Sequence, residues 1–238
     1  MQVNFPQILG LRYIYSPQFE PYQIFAHIFV HADGWHLFSN MFALFIFGPL
    51  LEKVWGANRF LVFYLVTGLG ASVLFSAVNY YEIRKVEVDA HSYMEAPEPD
   101  AFDANVSEHF SSLHAPNYEF IDAYSRNPED RSLIEKSLDF VNQTYNRVRD
   151  IPMVGASGAV FGILMAFGYL FPNLQLMLLF PPIPIKAKYL VLFYGLYSLY
   201  AAIQKVPGDN VAHYAHLGGM LFAIILLKMW GQKPNNYY

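Results

Sequence analysis

Five stretches, approximately 36–55, 59–79, 154–171, 187–204 and 211–230, are largely apolar over close to the ~20 residues that a helix needs to cross about 30 Å of hydrocarbon. This pattern predicts an all-α, polytopic membrane bundle with about five transmembrane helices in the chain. The run 60–79 holds no charge, whereas the other four begin with polar residues at one end. Residues 1–30 add no sixth span, because the uncharged run 1–11 is short and broken by Pro6. No basic start, apolar stretch and small-residue cleavage site mark a secretory signal there. The segment 151–185 is uncharged but punctuated by Pro172, Pro181, Pro182 and Pro184, which predicts one helix followed by a re-entrant or surface-lying turn.

The second and third spans are separated by a polar excursion, so the expected organisation is a first membrane part at 1–79, an extramembrane insertion at 80–152 and a second membrane part at 153–238. Within the insertion, EAPEPDAFDAN at 95–105 reads as flexible coil, and Asn127-Pro128-Glu129-Asp130 as a helix start with a cap, a first-turn proline and acids matching the dipole. Ile134, Leu138, Val141, Tyr145 and Val148 then recur at spacings of four and three. They define one amphipathic helix, docked on the membrane part or a partner, or simply solvated with a single packed stripe.

Charge sharpens this division. Only 14% of residues are charged, against roughly 25% in an ordinary soluble domain. Residues 80–152 hold 15 of the 19 acids and 7 of the 15 bases, a net charge of −8 against +4 for the remainder. With no cysteine, the chain can form no disulfide scaffold, thiolate metal site or cysteine nucleophile, and no basic cluster suggests nucleic acid as a partner. Lys53, Arg59, Lys186, Lys188, Lys228 and Lys233 fall on one side of the expected spans, which should be cytoplasmic, while Arg12, Lys205 and the long acidic insertion fall on the other.

That orientation puts the polar ends of three spans on the non-cytoplasmic side: His36 with Asn40, Ser157 among small residues, and His213 with His216. Ser157 lies in Gly155-Ala156-Ser157-Gly158, where glycines allow backbone N–H groups and a substrate carbonyl to approach a hydroxyl at a helix start. The rival reading is helix packing, with Gly158 and Gly162 as a small-xxx-small face. His216, three residues before Gly219, suits a general base for a serine, or a core histidine bonded across helices; His213 is the competing base. His36 and Asn40, spaced i, i+4, offer hydrogen-bond donors to an oxyanion. A zinc site of His27, His31 and His36 is the alternative, though without an HExxH pattern.

Taken together, HADGWHLFSN at 31–40, GASGAVFG at 155–162 and AHLGG at 215–219 closely resemble the motifs of the rhomboid intramembrane serine proteases, in their order. The resemblance, to a bacterial type, covers nearly all of the chain outside the insertion. It implies a helical bundle with a Ser157–His216 dyad below the outer membrane surface and an oxyanion held by His36, Asn40 and the Ser157 amide. The supporting histidine falls on His31, the close-packing glycines on Gly158 and Gly219, and the turn after the first motif helix on Glu52 and Gly56. Gly155 belongs to the nucleophile loop, and Phe161, where some relatives carry tyrosine, can stack on His216 but lacks a hydroxyl. Tyr22-Gln23 stands where some members have a tryptophan–arginine pair in a lipid-facing loop. Members usually have a further transmembrane helix before that loop, inside which this chain opens, so five core helices are expected. The implied activity is hydrolysis of peptide bonds in or near transmembrane segments of membrane proteins, at a bacterial inner membrane, without metal or organic cofactor. The alternatives are an inactive relative that binds transmembrane clients, and a transporter with a histidine-lined path.

Overall fold

The computed structural model describes residues 4–177, 182–204 and 211–234; Pro181 and Lys205, invoked above, lie outside them. The chain divides into two compact units, one of Met1–Leu11, Phe19–Val78 and Pro152–Tyr238, the other of Arg12–Gln18 and Asn79–Ile151.

In the first unit, two short helices, α1 (Phe5–Leu9) and α2 (Gln23–Ala26), precede α3 (Gly34–Trp55). Asp33 starts α3 by accepting the His36 N–H at 2.8 Å, and Gly56, in the left-handed region at φ 80°, ends it. Next come α4 (Ala57–Glu95), shared with the second unit, then α9 (Ser157–Leu170), α10 (Ala187–Gln204) and α11 (His213–Met229). Helix α9 is the centre of this unit: ten of its 14 residues are buried, against neighbours that include α3, α10 and α11. Leu51, Phe63, Ile163, Phe167 and Leu227 fill the core between them. At one end Trp55 donates to Gln232 at 3.0 Å and the Arg59 guanidinium lies 4.3 Å above the Trp230 ring. Lys53 and Lys228, in the last turns of α3 and α11, belong to that same end.

Helices occupy all five expected apolar stretches, with α3 and α4 long and apolar enough to cross a membrane and α9 and α11 shorter apolar helices. The turn expected after α9 is an antiparallel hairpin of β1 (Gln175–Met177) and β2 (Pro184–Lys186), in which Leu176 faces Ile185.

The second unit corrects four expectations. Helix α4 does not stop near 79 but runs to Glu95, because Ile83, Val86, Ala90 and Tyr93 sustain helical spacing and are buried in this unit's own core. The expected coil at 95–105 is confined to a short break, after which α5 (Pro99–His109) begins with proline in its first turn and buries Phe102 and Val106. After α6 (Ser111–His114) and α7 (Tyr118–Arg126), α8 (Arg131–Arg149) is capped by Asp130, which accepts from Ser132 N–H at 2.8 Å, rather than by Asn127. Its stripe packs within this unit's own core: Val141 and Tyr145 are buried with Phe102, Ile121 and Tyr124, with Ile134, Leu138 and Val148 against them. The 12–18 segment closes this unit. Arg12 donates to the Asp150 carbonyl, and the Ser16 hydroxyl donates to the Asp150 carboxylate at 2.7 Å.

Candidate functional site

Ser157 is the first residue of α9, half-buried, and follows a loop held from one side. Gly155, at φ 117°, donates its N–H to the His27 carbonyl at 2.9 Å, and the Ala156 N–H reaches the His31 Nε2 at 3.5 Å. The two residues before the serine are thus tied to the segment that leads into α3. Ser157 lines a cavity of about 10 Å³, close to the room one water needs, together with His27, Met153, Gly155 and Ala215.

His216, on the first turn of α11, is buried. The Phe161 ring lies flat against it, with centroids 3.9 Å apart and planes 8° from parallel. Phe161 is one turn beyond Ser157 on α9, so the face that begins with the serine is the face on which the imidazole rests. Glycines permit this closeness. A Cβ on Gly219 would stand 1.9 Å from the Gly158 carbonyl oxygen, and one on Gly158 would meet the Ala71 side chain at 2.3 Å. His213 sits edge-on to His216 at 5.7 Å and edge-on to Tyr197 at 5.8 Å, one step removed from Phe161.

The His36 imidazole covers Gly155: a Cβ there would stand 2.6 Å from Cε1 and 2.7 Å from Nε2. Its Nδ1 accepts the Ala32 N–H at 3.4 Å, so the ring proton of the neutral form belongs on Nε2, facing the loop before Ser157. His31 stands edge-on to His36 at 5.0 Å. Asn40 is buried one turn below, donating one amide hydrogen to the His36 carbonyl at 2.9 Å. In this structure Asn40 thus supports the helix turn that carries His36. Glu52 and Gly56 do form the turn closing α3, through a 2.7 Å bond from the Gly56 N–H to the Glu52 carbonyl. Tyr22 and Gln23 both donate to the Ile8 carbonyl, at 3.3 and 3.2 Å.

The three-histidine zinc reading finds no support among the described residues, where His27, His31 and His36 form no converging ligand group. His27 is an anchor instead: its Nδ1 donates to the Gln23 carbonyl at 2.9 Å, leaving Nε2 for the Ser72 hydroxyl at 2.9 Å. Pattern reading missed this pair, since Ser72 is an ordinary small residue in a charge-free span; its only signal is a polar side chain at a position that helix α4 buries.

A bundle built almost wholly of apolar helices, two of them long enough to cross a membrane, is the architecture of a membrane-embedded helical protein. A family model described as the Rhomboid domain matches residues 18–83 and 132–233, and the chain belongs to the rhomboid family. It is 24% identical to "Rhomboid protein 1, mitochondrial" of Saccharomyces cerevisiae over 202 residues, 85% of this chain and 40% of that protein. It is 28% identical to "RHOMBOID-like protein 12, mitochondrial" of Arabidopsis thaliana over 199 residues, 83% of this chain and 43% of that one. Over 54 residues it is 37% identical to "Rhomboid protease AarA" of Providencia stuartii, 23% of this chain and 19% of AarA. The chain spans less than half the length of these relatives. No solved structure matches it.

Proposed function

We propose that the chain is an intramembrane serine endopeptidase that cleaves peptide bonds in or near transmembrane segments of other membrane proteins. The observation that carries this reading is the stack of Phe161 on His216, which sets an imidazole against the helix face that opens with Ser157. In the reaction, the Ser157 hydroxyl attacks the scissile carbonyl carbon while His216 takes its proton. The His36 Nε2–H, the second Asn40 amide hydrogen and the Ser157 backbone N–H stabilise the oxyanion, each donor being worth roughly 10²–10³ in rate. Collapse of the intermediate expels the amine, which receives the proton from His216, and leaves an acyl-serine. Water, deprotonated by the same imidazole, then releases the carboxylate and restores the hydroxyl.

In this reading α3, α4, α9, α10 and α11 span the membrane, the lysine- and arginine-bearing end faces the cytoplasm, and the site opens to the opposite side of a bacterial inner membrane. The test is labelling of detergent-solubilised protein by a fluorophosphonate, beside Ser157→Ala and His216→Ala. Labelling lost in both variants, with folding retained, supports the dyad; labelling absent from the native chain favours an inactive client-binding protein.

A further inference from the structure

In the second unit, helices α4 and α5 bring together a group of side chains that the serine chemistry does not use. Asp89 Oδ2 lies 2.7 Å from His109 Nε2, and one ligand atom from each of Asp89, Glu108 and His109 falls within 4.8 Å of the others. The His109 side chain is only 6% exposed, so its ring is held in place, while the two carboxylates reach it from a more open side. The group already attracts a cation: the Lys85 ammonium pairs with Glu108.

A separate observation points to a missing ligand. Asn105 is 5% exposed, yet neither its amide oxygen nor its amide nitrogen has a hydrogen-bond partner among the described residues. An unsatisfied buried amide costs about 1–3 kcal/mol. Asn105 precedes Glu108 by three residues and His109 by four, which places it on the same face of α5, one turn from the cluster.

We propose that Asp89, Glu108 and His109 bind a divalent transition-metal cation, with zinc as the best-matched ion, and that Asn105 completes the site through its amide oxygen, directly or through one water. One imidazole and two carboxylates suit zinc, whose bonds to nitrogen and oxygen are about 2.0–2.2 Å, better than magnesium or calcium, which favour all-oxygen shells. Two carboxylates neutralise the ion. The cation takes the place between His109 Nε2 and Asp89, the neutral imidazole carrying its ring hydrogen on Nδ1, and Lys85 swings out into water. The bound ion ties α4 to α5 and so fixes the insertion.

Zinc chloride titrated into the untagged full chain in detergent micelles, followed by calorimetry, tests this. The expected result is a micromolar or tighter site on the native chain, weakened at least about tenfold in Asp89→Asn and in His109→Gln. Lys85→Met, at an exposed position, should tighten binding by removing the competing cation. Absence of binding at micromolar zinc, equal affinity in the Asp89 and His109 variants, or an affinity that Lys85→Met leaves unchanged or lowers would each overturn the proposal.

Discussion

Phe161 and His216 are stacked in parallel at 3.9 Å, closer than any other aromatic pair described in the chain. The contact joins α9 to α11 one turn from Ser157 and presses one face of the imidazole against a hydrocarbon ring. Aromatic pairs of this kind contribute about 0.5–1.5 kcal/mol beyond their buried area. Phe161→Ala should therefore slow fluorophosphonate labelling by about two- to tenfold, while Phe161→Tyr, which keeps the ring, should label at close to the native rate. Equal rates in native and Phe161→Ala protein would show that the stack does not orient the base.

Gly219 tests the approach of the helices themselves. The obstacle to a side chain there is the Gly158 carbonyl oxygen, 1.9 Å from the added carbon, and backbone cannot yield as a flexible side chain does. Overpacking typically costs about 1–3 kcal/mol. Gly219→Ala should lower the thermal midpoint in detergent by several degrees or prevent folding. Gly34→Ala provides the contrast, because a Cβ at Gly34 meets nothing within 4 Å, and its midpoint should be unchanged or higher.

At Gly155 the same substitution should affect the reaction more than the fold. Its φ of 117° is strained for any L side chain, and the atoms in the way belong to the His36 ring. A strained backbone position costs about 1–3 kcal/mol. Gly155→Ala should displace His36 from the loop and lower the labelling rate by more than tenfold while the helical circular dichroism is retained. Native labelling in this variant would remove His36 from the proposed oxyanion site.

The parts of this molecule that were legible in the sequence are those in which neighbouring residues agree. Five apolar stretches became helices because each is long, continuous and bounded by polar residues. The end of α4 was hidden because beyond Asn79 its exterior turns polar while Ile83, Val86, Ala90 and Tyr93 go on at helical spacing, so a change of surroundings resembled a change of structure. At 95–105 two prolines suggested coil, although Pro99 opens a helix. Asp130, read from the sequence as an acid matching the dipole, is the cap instead of Asn127, as the hydrogen bonds from Ser132 and Leu133 show. Motif spacing singled out Ser157, His216 and His36, whereas the bond between His27 and Ser72, 45 residues apart, depends on which faces of two helical segments meet.

The insertion has a core of its own, and its stability should respond to that core. Phe102 is fully buried among Tyr93, Phe120, Tyr124 and Phe140. Removing a buried phenyl ring costs about 3–5 kcal/mol. Phe102→Ala should speed amide hydrogen exchange across α5, α7 and α8 by two orders of magnitude or more; unaltered exchange there would mean that these helices are held by something other than their shared core.

Asp150 gives the insertion unit a dependence on pH whose sign can be derived. Burial would raise its carboxyl, but hydrogen bonds from Arg149 and Ser16, with the charges of Arg149 and Arg12, outweigh burial and hold it below the usual aspartate range. A carboxylate held low in the folded state binds its proton more weakly there than in the unfolded chain. Its contribution is complete above the ordinary aspartate value near 4 and is lost as pH falls through the lower folded value. Since Arg12 and Ser16 reach Asp150 from a segment more than 130 residues earlier, protonation loosens the tie between residues 12–18 and the end of α8. Proteolysis at Arg12, assayed with an acid-tolerant protease, should accelerate in the native chain as the pH falls below about 4. In Asp150→Asn it should be faster at neutral pH and nearly flat across that range, because the group that titrates is gone. An identical acid response in both proteins would assign the loss to another carboxylate, such as Glu87, which also lies below its usual range although burial opposes the shift, through Arg84 and Tyr145.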